Sequence, residues 1–227
     1  MVQNTSKADN LSEQIALQID RATEIIKAGG IVAFPTDTVY GLGADAFNSK
    51  ATERVYKVKQ RSHRLPLPIL LSDATQVAAV VDSVSEIAQI LMRYFWPGGL
   101  TLVLPKATSL SDSITAGGNK VAIRIPNHIV PCTIIRRLGI PIIGTSANIS
   151  DRPGAVTAQE VKTQLGSEVD LIIDGGDCPG GLESTVVDVT GETPVVLRRG
   201  IVPEDEVKRV CQEYVKEAGK NAYCFGL

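Results

Sequence analysis

GGIVAFPTDTVYGLGADAF, residues 29–47, sets a glycine pair, a short apolar run and a polar segment in succession. Upstream, Asn10 to Gly30 reads as a helix capped by Ser12, with Ile15, Ile19, Ala22 and Ile26 at helical spacing and the glycines as its stop. IVAF (Ile31 to Phe34) is a buried strand that Pro35 ends, and Gly41 and Gly43 are read as residues of tight turns. Downstream, Ser49 is expected to cap a second helix running to about Lys59, before a strand in PILLS. A strand set between two helices points to an α/β chain.

The remaining sequence continues that alternation and then gathers strands. Helical segments start near Asp73 and Ser83 and end at Trp96-Pro97-Gly98-Gly99. Strands follow in LTLVL, VAIRI and IIGT, with a helix near Val130 to Leu138 between the last two. Thr157 and Glu160 make a capping box. LIID, a glycine-rich loop, STVVDV and PVVLR come next, and a last helix begins at Pro203. The expected fold class is α/β (α+β), a sheet of mixed strand directions flanked by helices. Without a repeat or a long linker, the division is a leader at 1–11, one domain at 12–218 and a tail at 219–227.

Composition narrows the function. The 227 residues are 44% hydrophobic and 21% charged, with net charge −2, which argues against a protein that coats nucleic acid. Cys132, Cys178, Cys211 and Cys224 show no Cys-x-x-Cys spacing, and only His63 and His128 could join them, so neither a zinc site nor a disulfide framework is expected. No apolar run is long enough for a membrane span, and a cytoplasmic location is expected.

Four segments carry polar residues beyond what packing needs. FPTDTVYGLG crowds Thr36, Asp37 and Thr38 at a strand end, where a hydrogen-bonded turn is the plain alternative. Arg54, Lys57, Lys59, Arg61 and Arg64 fall within eleven residues, with no acidic residue until Asp73. Such a run is a solvated helix face or a fixed anion site. GTSANISDRPG offers Thr145, Ser146 and Asn148, and DGGDCPGGLESTVVD brings glycines, Ser184 and Thr185. A P-loop, a dinucleotide fingerprint and a G-x-S-x-G nucleophile elbow are all missing. On the residues alone this is an anion-binding α/β protein.

In this order, GGIVAFPTDTVYGLGADA, VYKVKQRSHRLPLPILL, WPGGLTLVL, VAIRIPNH, GTSANISDRPG, ESTVVDV and VLRRG resemble the YrdC-like family of threonylcarbamoyl-AMP synthases, in its short single-domain form. The resemblance implies a YrdC-like fold, a twisted mixed open sheet flanked by helices, with a concave basic cavity. It also implies a nucleotidyltransferase that condenses L-threonine, bicarbonate or CO2, and ATP to threonylcarbamoyl-AMP, releasing pyrophosphate. The product would pass to a tRNA-modifying transferase machinery that makes threonylcarbamoyladenosine. By family position Lys59 and Arg61 are the catalytic cations. Together with Ser146, Asn148 and Arg198 they bind ATP, while Thr36, Arg124 and Ser184 bind threonine. ATP is a substrate that Mg²⁺ is expected to accompany. Asp37 could assist the ion through water, but no dedicated carboxylate cluster exists and no metal ligand is assigned.

Two departures from the family pattern touch the nucleotide side: Leu65 stands where a polar residue is usual, and Asp151 where glycine is usual. Two other readings compete. One is an RNA-binding protein using the same basic cavity, for example in ribosome maturation, against which the acidic composition and sparse aromatics count. The other is a carbamoyl-transfer module like that of hydrogenase-maturation proteins, which normally lies in a much longer chain.

Overall fold

The structure, a computed structural model, describes residues 12–217. The expected leader at 1–11, the end of the domain at 218, the tail at 219–227 and Cys224 lie outside the described residues.

Helix α1 (Glu13–Lys27) starts where Ser12 Oγ accepts the Ile15 N–H at 3.3 Å, and it buries Ile19, Ala22 and Ile26 along one stripe. Strand β1 (Val32–Phe34) follows. The next segment departs from expectation. Gly41 and Gly43 do not make turns but belong to a strand, β2 (Gly41–Asp45), antiparallel to β1 with Phe34 opposite Gly41. The reason is steric. The Phe34 ring lies across both glycines, and a β-carbon would stand 2.8 Å from it at position 41 and 2.5 Å at 43. Glycine here permits close approach of a ring to backbone.

Helix α2 (Ser49–Lys59) is capped by Asn48 rather than by Ser49: the Asn48 carboxamide oxygen accepts from the Lys50 and Ala51 N–H groups at 3.0 and 3.1 Å. The helix ends in a left-handed residue, Gln60 (φ 50), with Gln60 N–H donating to Lys57 O and Arg61 N–H to Tyr56 O. That double closure reverses the chain just after Lys59.

Seven further strands complete one nine-stranded sheet: β3 (Ile69–Leu70), β4 (Leu100–Pro105), β5 (Lys120–Arg124), β6 (Ile142–Ser146), β7 (Leu171–Ile172), β8 (Thr185–Asp188) and β9 (Val195–Arg198). Their order is β7-β1-β2-β6-β3-β5-β4-β8-β9, with parallel pairs β1–β7, β3–β5 and β4–β8 among antiparallel ones. The mixed strand directions read from the alternation and the open sheet implied by the resemblance are both present. The helices around it are α3 (Glu86–Phe95), α4 (Ile129–Leu138), α5 (Ala158–Leu165) and α6 (Glu204–Glu217), with a 3₁₀ turn at Ala74–Ala79. The Thr157 cap and the Pro203 start lie one residue before α5 and α6, as read.

The two faces of the sheet are covered unequally. Ile69, Leu102, Leu104, Val121, Ile123, Ile143 and Val187 point into the main core, with residues of α2, α3, α5 and α6 such as Val55, Leu91, Val161 and Val207. A second cluster joins α1 and α4 to Val32, Phe34 and Ile142 through Ile19, Ile26, Ile134 and Ile135. It covers the other face at the β1–β2–β6 end. Over β3, β5, β4 and β8 that face stays open, and the alternate residues Leu70, Ala122, Arg124, Thr101, Val103 and Val186 line a cavity. Among the described residues no helix is long and apolar enough to cross a membrane. Cys132, Cys178 and Cys211 are buried.

Candidate active site

The cavity encloses about 580 Å³, and Thr36, Lys59, Arg61, Arg124, Ser146, Asn148, Ser184 and Arg198 all line it. Residues spread over 163 positions of sequence are thereby brought to one face of the sheet. Its lining holds five cations, Lys59, Arg61, Arg124, Arg152 and Arg198, against two carboxylates, Asp151 and Glu183. A concave wall of that charge concentrates anions. Arg54, Lys57 and Arg64 do not line it; Arg54 pairs with Asp170 at 3.0 Å.

Lys59, the last residue of α2, is 1% exposed and turned inward. Its ammonium donates to the backbone carbonyls of Ser146 and Asn148, the latter at 2.8 Å, and to Asn148 Oδ1 at 3.2 Å. Asn148 Nδ2 then donates to Ile149 O and Arg152 O, so a single lysine pins the whole SANISDR turn. Two influences oppose on this residue. Burial, with Arg61 adding to it, pushes its pKa down to about 7, while three acceptors around Nζ match the three N–H groups of the charged form.

Arg61 sits just past the left-handed Gln60 and donates through Nε and Nη2 to the Leu65 and Pro66 carbonyls at 3.4 and 3.0 Å. Burial lowers its pKa as well. The departure at Leu65 thus offers its backbone to Arg61 while its side chain is 45% exposed. The departure at Asp151 is a non-glycine residue held at φ +66 on the cavity wall.

Arg124 closes β5 and is 6% exposed. Its guanidinium donates from Nε to Gly98 O at 2.8 Å, from Nη1 to Thr38 Oγ1 at 3.1 Å and from Nη2 to Asp37 Oδ1 at 2.5 Å. A charge in this apolar strand is costly without a partner, and Asp37 supplies one. Thr36 Oγ1 donates to Val39 O at 2.6 Å and accepts from Thr38 N–H, so the hydrogen-bonded turn and the cavity wall are the same structure. The WPGG segment serves both sides, since Gly99 O accepts the Thr185 N–H at 2.9 Å.

Ser184 Oγ lies 2.8 Å from Thr101 Oγ1 and accepts from Arg198 Nη2 at 3.1 Å. Arg198 also donates to Ser184 O and, through Nη1, pairs with Glu183. Gly200 permits this: a β-carbon there would stand 2.3 Å from Glu183 O and 2.5 Å from Thr185 N. Sequence reasoning missed Asp37 as the partner of Arg124, Thr101 beside Ser184, and Arg152. The one available signal was the acid in PTDT, whose partner is 87 residues away. Among the described residues no group of three His, Cys, Asp or Glu is placed to hold a metal ion, and Asp37 is engaged by Arg124.

Comparison with known proteins places the sequence and the fold. The threonylcarbamoyl-AMP synthase of Bacillus subtilis is 40% identical over 194 residues, 85% of this chain and 56% of that protein. The structure of Pyrococcus abyssi Sua5 complexed with L-threonine superposes with a TM-score of 0.83 at 38% identity, covering 91% of this chain and 62% of that one. Escherichia coli YciO superposes with a TM-score of 0.78 at 28% identity, over 86% of this chain and 94% of that one. The chain therefore spans less than two thirds of the first two relatives and nearly all of the third. A family model described as telomere recombination, Sua5/YciO/YrdC, matches residues 24–200, and the chain belongs to that family.

Proposed function

We propose that this protein is a threonylcarbamoyl-AMP synthase, a nucleotidyltransferase that consumes L-threonine, bicarbonate or CO2, and ATP and releases pyrophosphate. The observation that carries the reading is the convergence of all eight expected residues on one cavity whose cations outnumber its carboxylates five to two. The name of the B. subtilis relative and the L-threonine bound by P. abyssi Sua5 support it.

Chemically, the threonine amine captures CO2 as a carbamate. A carbamate oxygen then attacks the α-phosphorus of ATP, the bond to the bridging oxygen of the β-phosphate breaks, and pyrophosphate departs with that electron pair. No covalent enzyme intermediate is needed, so the residues act by placing two anions together and stabilising the charge that develops. Lys59 holds the Ser146–Asn148 turn against the cavity, and Arg61, beside it, faces the phosphates. Arg124, oriented by Asp37 and Gly98, meets the threonine carboxylate, while Thr36 and Ser184 fix the remaining polar groups of that substrate. Mg²⁺ belongs to this scheme as a companion of the ATP phosphates, carried in with the substrate.

On this reading the product goes to a tRNA-modifying transferase, and the reaction takes place in the cytoplasm. An RNA-binding role is not favoured, because the only aromatic residue in the cavity lining, Tyr40, is fully buried and donates its hydroxyl to Gly176 O at 2.8 Å. No aromatic platform for bases results. The test is to incubate the protein with ATP, L-threonine and bicarbonate and to look for threonylcarbamoyl-adenylate by mass spectrometry. Its formation supports the reading, and its absence with intact, folded protein refutes it.

A further inference from the structure

Anion recognition draws most readily on donors not yet committed to the protein, and each guanidinium carries five N–H groups. Lys59 has its three N–H groups directed at oxygens of Ser146 and Asn148. Arg124 and Arg198 each donate from Nε, Nη1 and Nη2 to protein acceptors, and Arg61 from Nε and Nη2. Arg152, the fifth cation of the cavity lining, differs. It is exposed, and its guanidinium has no hydrogen bond or ion pair among the described residues.

Its backbone, by contrast, is fixed. The Arg152 carbonyl accepts from Asn148 Nδ2 at 2.6 Å, and its N–H donates to Ile149 O at 3.1 Å. Two residues earlier, Ser150 repeats the pattern. Its N–H donates to Lys59 O at 2.9 Å, while its Oγ is buried, lines the same cavity and has no hydrogen-bond partner. A buried hydroxyl without a partner is costly unless a ligand supplies one. Asp151 between them, at φ +66, is held in a conformation that non-glycine residues rarely adopt, so the turn is imposed by its anchors. The segment has a rigid backbone and uncommitted side chains on the cavity wall, which is a preorganised binding element.

We propose that Ser150 and Arg152 form the polyphosphate-binding edge of the cavity, Arg152 supplying the cation and Ser150 Oγ a hydroxyl donor to the phosphate oxygens of a nucleoside triphosphate. This rests on the reading that the cavity takes ATP. A guanidinium at the exposed mouth gains most from the part of the ligand with the highest charge, so its contribution distinguishes ATP from AMP.

Isothermal titration of the full chain with ATP, AMP and inorganic pyrophosphate tests this, using wild type, Arg152→Ala, Arg152→Lys and Ser150→Ala, with a thermal melt confirming that each is folded. Arg152→Ala should weaken ATP and pyrophosphate about tenfold and AMP by less than about twofold, and Arg152→Lys should recover part of the loss. Ser150→Ala should weaken ATP by a smaller factor in the same direction. If wild type binds ATP and Arg152→Ala binds it equally well, or loses ATP and AMP alike, the assignment is overturned while the nucleotide reading stands. If wild type binds neither ATP nor pyrophosphate, the nucleotide reading itself fails.

Discussion

Asp37 Oδ1 lies 2.5 Å from Arg124 Nη2, and this pair joins the polar end of β1 to the only charged residue inside the apolar run VAIRI. Both side chains are largely buried, at 17% and 8% exposure, so water is a poor substitute for either partner. The pair also aims the guanidinium, since Gly98 O and Thr38 Oγ1 hold its other donors.

Removing the acid should therefore cost both stability and threonine affinity. Asp37→Ala is expected to lower the unfolding free energy by about 3 kcal/mol, the usual penalty for orphaning one member of a buried pair. Guanidinium denaturation measures this, and the KM for threonine should rise in the same variant.

Lys59 should show a pH signature. Its folded pKa is lowered to about 7 from an ordinary 10.5, so between those values the unfolded chain binds a proton that the folded protein does not. Stability then rises with pH across that window, and below about 7 the buried charge is a full burden. The stability difference between wild type and Lys59→Met should therefore shift in favour of wild type from pH 7 to pH 9. Denaturation curves at the two values decide it, and the comparison cancels the titration of the buried Cys132 and Cys178 thiols, whose pKa values burial raises.

Gln60 ends α2 at φ 50, a conformation that glycine adopts without strain. Gln60→Gly should raise stability by about 1 kcal/mol, seen as a melting temperature higher by about 2–4 °C. Gln60 is exposed, so the rate of pyrophosphate release should change little.

Gly200 is the opposite case. A methyl group there would collide with the backbone of Glu183, Ser184 and Thr185 rather than with a movable side chain. Gly200→Ala should cost about 1–3 kcal/mol and disturb the Arg198–Ser184 contact, visible as a lower melting temperature together with weaker ATP binding.

Much of the fold was legible because the signals were local. Ser12, Thr157 and the apolar stripe of α1 specify their helices within a few residues. Strand β2 was hidden because its glycines resemble a turn until the Phe34 ring is seen lying across them. The strand order was hidden for a related reason: β3–β5 and β4–β8 pair in parallel across long intervals that no local pattern encodes. The site residues came mainly from family resemblance, and the structure supplies their convergence on one cavity. Their partners were out of reach, since Asp37 and Arg124, or Thr101 and Ser184, are more than 80 residues apart. The same holds for Arg152, whose distinction is that its neighbours leave it free.

The most direct test of the central claim is pyrophosphate release measured with ATP, L-threonine and bicarbonate together and with each left out in turn. Release should need all three, and Lys59→Ala should reduce it by about two orders of magnitude. Release that continues without threonine or bicarbonate, or a Lys59→Ala variant that turns over like wild type, would contradict the account.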